Sequence, residues 1–193
     1  YIHMFAFKKK YFLIIQNIKD INLNNFKRLN KFIIIYRNDD LNQDFIALRK
    51  FRIKCKSKSI KFFIANNLKL AILLSADGIY LSAYNKTFKQ LNHKNFKFSI
   101  IGSAHSIKEI NLKLKQGCTF IMLSKLFVVD YDRACPIIGI IKFNFFLKNI
   151  SHRLIPLGGI KLNNLNFLKN VKCDGFALMS EIKKKPTISS RLF

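Results

Sequence analysis

Short apolar runs alternate along this chain with polar stretches. Tyr11–Ile15, Lys31–Arg37, Ile60–Ala65, Gly78–Leu81, Asn95–Ile101, Thr119–Leu123, Leu154–Leu157 and Asp174–Met179 read as strands. Runs of this kind suit parallel strands buried on both faces. Between them, apolar residues recur at helical spacing. Leu23, Phe26 and Leu29 form one such set, Phe45, Leu48 and Phe51 a second within a helix expected over 41–52. Further helices are expected over 68–74, 107–116 and 141–147, and a helical pattern opens at Lys161-Leu-Asn-Asn-Leu. Ser106 with Glu109 is a capping box for the 107–116 helix, and Gly117 closes it. Eight strands alternating with helical segments predict an α/β fold with right-handed crossovers, a (βα)8 TIM barrel. A flavodoxin-like open sheet is the structural competitor, but it normally needs only about five strands. No linker splits the pattern, so one domain over 1–193 is expected, with its core at about 11–182.

In a barrel of this type, chemistry gathers at the C-terminal ends of the strands. Those ends carry Arg37 and Asp39, Asn66 and Asn67, Ser82 and Asn85, Ser103 and His105, Ser124 and Lys125, Gly158 and Gly159, and Ser180. Donors and cations dominate, which suits phosphate and offers little carboxylate for a metal. Leu154-Ile-Pro-Leu-Gly-Gly-Ile160 is a buried strand running into two glycines and a helix start. That arrangement lets backbone N–H groups face an anion. Asp77 and Asp174 each precede a glycine at a strand start, which places them on the opposite, stabilising face. Asp130 and Asp132 could together form a substitute metal site.

The composition narrows the partners. Lys and Arg outnumber Asp and Glu 35 to 10, a formal charge of +25. A polyanion partner is one reading. The blander reading is compositional drift, because Lys, Asn, Ile and Phe rise together as codon bias produces, and the lysines are scattered. The latter is preferred, and nucleic acid is not the expected partner. No apolar run is long enough to span a bilayer. Tyr1–Lys10 runs from apolar to basic, the reverse of a signal peptide. With four widely spaced cysteines and no CxxC pair, a cytoplasmic protein with reduced thiols is expected.

Several motifs in order resemble those of the thiamine phosphate synthase/TenI family. They are Ile64-Ala-Asn-Asn-Leu-Lys-Leu-Ala71, Ala76-Asp-Gly-Ile-Tyr-Leu81, Ile101-Gly-Ser-Ala-His-Ser106, Pro156-Leu-Gly-Gly-Ile160 and Cys173-Asp-Gly-Phe-Ala-Leu-Met-Ser180. The resemblance implies a (βα)8 barrel. It also implies a synthase that joins a pyrimidine pyrophosphate to thiazole phosphate and releases pyrophosphate with Mg²⁺, or a TenI-type enzyme that aromatises thiazole phosphate. Arg37 then corresponds to a pyrophosphate-binding arginine, although Ile35 and Asp39 replace a Gln and a Lys that flank it in the family. Ser103 matches the serine of its motif, at the reacting centre or the pyrophosphate. Gly158, Gly159 and Ser180 match the thiazole-phosphate grip. Asn66 and Asn85 stand where the family has metal-binding aspartates, so the Mg²⁺ expected for the family loses two anionic ligands here. Ser124-Lys125 replaces a Gly-Pro. Lys125 stands where some TenI-type members have a catalytic histidine; as an acid/base it would need a depressed pKa, and otherwise it neutralises phosphate.

Three functions remain open at this level. One is the synthase, with Arg37, Ser103 and Lys125 catalytic. The second is a metal-free isomerase using Lys125 or His105. The third is a degenerate barrel that binds a phosphorylated ligand. Small phosphorylated substrates are the expected partners, no membrane is, and a homo-oligomer stays open.

Overall fold

The computed structural model describes residues 10–26, 29–40, 44–92, 99–130, 132, 134–150 and 153–179. Eight strands are present: β1 Lys10–Ile15, β2 Phe32–Tyr36, β3 Lys61–Ala65, β4 Gly78–Leu81, β5 Ser99–Ala104, β6 Phe120–Leu123, β7 Arg153–Pro156 and β8 Gly175–Leu178. All pair in parallel, in the order β7-β6-β5-β4-β3-β2-β1-β8. The two end strands, β7 and β8, touch without sharing a ladder, so the barrel is closed except for one seam.

Alternation along each strand divides the core into two. Phe12, Ile14, Ile33, Ile35, Phe63, Tyr80, Ile101, Phe120, Met122, Ile155 and Ala177 point inward and fill the barrel. Their neighbours, such as Leu13, Ile34, Phe62, Ile79, Ile121 and Phe176, point outward against the helical layer. Both faces are therefore apolar, as the unbroken runs required. Phe12 and Phe120 meet inside the barrel with ring centroids 5.6 Å apart.

Four α-helices lie outside: α1 Phe45–Ser57, α2 Leu68–Leu73, α3 Ile107–Lys115 and α4 Gly139–Asn149. The Asp44 side chain caps α1, whose buried stripe of Leu48, Phe51, Arg52 and Cys55 carries it five residues beyond the expected end at 52. Asn67 caps α2 in the same way. In α3 the Glu109 N–H donates to Ser106, but the Glu109 carboxylate accepts from the His105 N–H rather than from Ser106. The box is thus displaced by one residue on its return bond.

The helical spacing after β1 and β7 gives 3₁₀ turns instead of α-helices: 18–20, 23–25, 29–31 and 162–170. Asparagines account for much of this. Asn17 and Asn22 accept from the N–H two residues on, a local turn that competes with helix. β5 also differs from expectation. It runs to Ala104 because Gly102, Ser103 and Ala104 pair with Ile121, Met122 and Leu123. Of its expected start, 95–98 lies outside the described residues.

At the N-terminal end of the barrel, Asp77 accepts from the Phe62 N–H at 2.7 Å and from Arg52 at 3.3 Å. Arg52 also donates twice to the Ser75 carbonyl. Asp77 is therefore part of a structural clasp on the face away from the site.

Candidate functional site

β7 ends at Pro156, and Leu157 continues the inward-facing series. Gly158 and Gly159 follow with φ of +90° and +70°, in the region that favours glycine. At Gly159 space excludes other residues as firmly as torsion does, while at Gly158 it is only tight. A Cβ on Gly159 would lie 2.3 Å from the Phe127 carbonyl oxygen, and one on Gly158 would lie 3.2 Å from the Lys125 Cα. The turn is locked to the loop after β6 by Leu126 N–H to Leu157 O and Phe127 N–H to Gly158 O. Asn164 then pins it from the other side, donating to the Gly159 carbonyl at 2.7 Å. Among the described residues, the N–H groups of Gly158, Gly159 and Ile160 have no protein acceptor. Consecutive free N–H groups in a turn of positive φ are the kind of backbone that takes up an anion.

That turn lines a cavity of about 290 Å³ at the C-terminal mouth of the barrel. Arg37, Tyr80, Ser103, His105, Ser124 and Lys125 share the lining. Five of the expected site residues, Arg37, Ser103, Lys125, Gly158 and Gly159, thus come together. Asn66 does not face this cavity. It lines an adjoining cleft of about 860 Å³ with Asn38, Asn67, Asn85, Thr87, Lys69 and Lys89. Asp39, where the resemblance calls for a lysine, lines that cleft too, while Ile35 is sealed inside the barrel. Ser180 lies outside the described residues.

Lys125 is a fixed cation. Asp132, turned back by a short bridge between Val129 and Asp132, takes its ammonium at 2.5 Å. That hydrogen bond, aided by the neighbouring Cys135 sulfur, raises the lysine above its ordinary pKa. Its partner carboxylate is held below the ordinary range by the same hydrogen bond. The depressed pKa that acid/base work would require is therefore not what this environment produces. Asp130 pairs in turn with Lys161. Both aspartates of the possible substitute metal site are spent on lysines, and no group of three metal-ligating side chains occurs among the described residues.

Two features escaped the sequence reading. Tyr80 is an apolar-looking strand position, yet it lines the cavity with Ser103; burial raises its pKa, with Ser103 and Arg37 pulling it back. Ser124 hydrogen-bonds His105 Nδ1 at 2.9 Å, so the cavity lining holds a hydroxyl–imidazole pair. Only the pleat, which puts Tyr80 on the same face as Ile101 and Ser103, could have signalled the first.

Mg²⁺ requires hard oxygen ligands with lone pairs to spare. Asn66 and Asn85 have none. Asn66 Oδ1 accepts from the Ser82 N–H at 3.0 Å and from the Asn85 amide at 3.1 Å. Asn85 Oδ1 accepts from the N–H and the hydroxyl of Thr87, both at 2.9 Å. Two lone pairs on each oxygen are thus engaged, and neither group is charged. This pair does not fit the metal implied by the family.

Comparison with known proteins agrees with the architecture. The sequence pattern of the family described as Thiamine monophosphate synthase matches residues 28–182. The chain is 31% identical over 130 residues to a thiamine-phosphate synthase of Prochlorococcus marinus, covering 66% of this chain and 37% of that protein. It is 25% identical over 164 residues to the thiamine-phosphate synthase of Pelotomaculum thermopropionicum, covering 83% of this chain and 75% of that one. The chain spans little more than a third of the first of these relatives. Among solved structures, thiamine phosphate pyrophosphorylase from Pyrococcus furiosus superposes with a TM-score of 0.70 at 19% identity, covering 96% and 95% of the two chains. The 3-hexulose-6-phosphate synthase of Salmonella typhimurium follows at 0.66 and 13%, covering 95% of each, so the fold is shared well beyond one chemistry. With the barrel, the glycine turn and the match over 28–182 in agreement, this chain belongs to the thiamine monophosphate synthase family.

Proposed function

We propose that the chain acts in thiamine biosynthesis, joining a pyrimidine pyrophosphate to thiazole phosphate and releasing pyrophosphate. The observation that carries this is the cavity whose lining brings Gly158, Gly159 and Ile160, with N–H groups that have no acceptor among the described residues, together with Arg37, Lys125 and Ser103. The N–H run takes the phosphate of the thiazole. Arg37 and Lys125 supply positive charge to the departing pyrophosphate, and fixed charges of this kind stabilise a developing anion without reorganising. Ser103, beside Tyr80 in the same lining, contacts the reacting centre. Localisation in the cytoplasm is part of the same proposal.

A second reading is favoured by one specific observation, the Ser124–His105 pair. A TenI-like isomerase needs the phosphate turn and one acid/base, and His105 answers that need better than the fixed cation Lys125. A degenerate barrel that only binds the phosphorylated ligand would need the turn alone. Isothermal titration with thiazole phosphate and, separately, with the pyrimidine pyrophosphate divides these readings. Binding of both, with product formed on mixing, is expected. Binding of thiazole phosphate alone would transfer the proposal to the isomerase, or to a binder if no isomerisation follows. Binding of neither would refute it.

A further inference from the structure

Lys113 is fully buried, yet it makes no ion pair among the described residues. Its ammonium donates to three neutral acceptors: Ser82 O at 2.7 Å, Asn85 O at 2.7 Å and Gln116 Oε1 at 3.0 Å. Burial lowers its pKa. A buried charge without a carboxylate is costly, and the site around it is correspondingly complete. Gln116, also fully buried, donates to Asn85 O at 3.0 Å and Thr87 O at 2.7 Å. The stem of the lysine crosses Gly102, where a Cβ would lie 2.8 Å from Lys113 Cδ. Glycine at 102 is what lets the lysine reach under the loop after β4.

That loop carries Asn85, and the Asn85 amide is bonded to Asn66 on the loop after β3. The two rim loops are therefore joined at the top by a neutral amide bridge, and the loop after β4 is held from beneath by one ammonium. A divalent ion shared by two carboxylates would make the same connection from the outside. Here the acceptors for such an ion are occupied and the positive charge is internal.

We propose that Lys113 is a positioning residue that organises this rim in place of a metal. It fixes the loop over 82–87 and with it the Asn66–Asn85 bridge, so that the chain holds its anionic ligand without a divalent ion. The part concerning the ligand rests on the anion-binding reading of the rim.

The test uses the full chain and two readouts, amide hydrogen exchange of the loop and thermal unfolding. Lys113→Met keeps the stem and removes the charge. It is expected to speed exchange over 82–87 by about ten-fold or more while the β1–β3 amides stay slow. Gln116→Met, which leaves the charge in place, gives a smaller increase in the same loop and serves if Lys113→Met does not fold. Wild-type melting temperature is expected to be equal in EDTA and in Mg²⁺, and inorganic pyrophosphate to raise it equally in both. Asn66→Asp with Asn85→Asp restores two carboxylates, and its melting temperature is expected to rise on adding Mg²⁺. Unchanged loop exchange in both single variants would overturn the role of Lys113. A saturable Mg²⁺ stabilisation of the wild type, or a carboxylate variant indifferent to Mg²⁺, would overturn the replacement of the metal. Absence of any pyrophosphate effect in both media would overturn the anion-binding reading instead, and the exchange and Mg²⁺ arms would still decide on Lys113.

Discussion

At the scale of single residues, the site is a set of neighbours that leave each other little freedom. Gly159→Ala puts a Cβ against the Phe127 carbonyl and forces a positive φ on an L side chain. The torsion alone costs about 1–2 kcal/mol, and the clash adds to it. Calorimetry should show lost phosphate binding together with a lowered melting temperature. Asp77→Ala gives the opposite separation. It strips the Phe62 N–H and Arg52 of their acceptor at the far end of the barrel. A loss of about 2–3 kcal/mol in denaturant unfolding with unchanged phosphate affinity is expected. The Lys125–Asp132 pair sets a pH window. Asp132, held below its usual pKa, adds stability above the usual carboxylate range, and this is lost as pH falls through the depressed value. Lys125, held above its usual pKa, adds stability below the usual lysine range, and this is lost as pH rises through the elevated value. From about pH 5 to about pH 9 the pair stays intact. Melting curves across that range should show no transition attributable to it, and Asp132→Asn should remove the loss at low pH.

At the scale of elements, the sequence was most informative where one physical rule acted alone. Burial on both faces made every strand visible, and β4 was placed to the residue. Gly158-Gly159 was legible because backbone geometry and close approach both demand glycine there. The 3₁₀ turns after β1 and β7 were not, because apolar spacing cannot show that Asn17, Asn22 and Asn164 divert the backbone. The site itself was legible as a set of strand ends. Its pairings were not: the Asp132 that holds Lys125 and the Ser124 that meets His105 are joined only by the fold. Lys113 carried a signal that could have been read. It lies three residues after Ile110 and one before Leu114, on the apolar stripe of α3. A lysine there is either a surface stem or a buried charge with partners, and spacing alone does not choose.

At the scale of the whole molecule, a high positive charge surrounds a mostly neutral interior. The field should favour anions and speed their capture at low salt. Phosphate on-rates should therefore fall with ionic strength more steeply than off-rates rise. The thiols report on the same packing. Cys55 and Cys118 are buried, and burial pushes each pKa up to about 12, whereas Cys135 and Cys173 are half-buried. A mild thiol reagent should label Cys135 and Cys173 in the native protein, and the other two only on unfolding. Labelling of all four at one rate would contradict the packing around α1 and α3. No helix among the described residues is long and apolar enough to cross a membrane.

The seam between β7 and β8 has a consequence for how the protein avoids its own kind. A barrel with one unladdered joint is, to another chain, a sheet with two edges. Each edge here spans only four residues, and Pro156 removes a donor from one of them. Crowded or partly opened molecules thus meet a short, interrupted template for strand addition. Pro156→Val would lengthen that template by one donor without altering Gly158 and Gly159. Its expected outcome is an unchanged fold at dilution and faster light-scattering growth near the melting temperature.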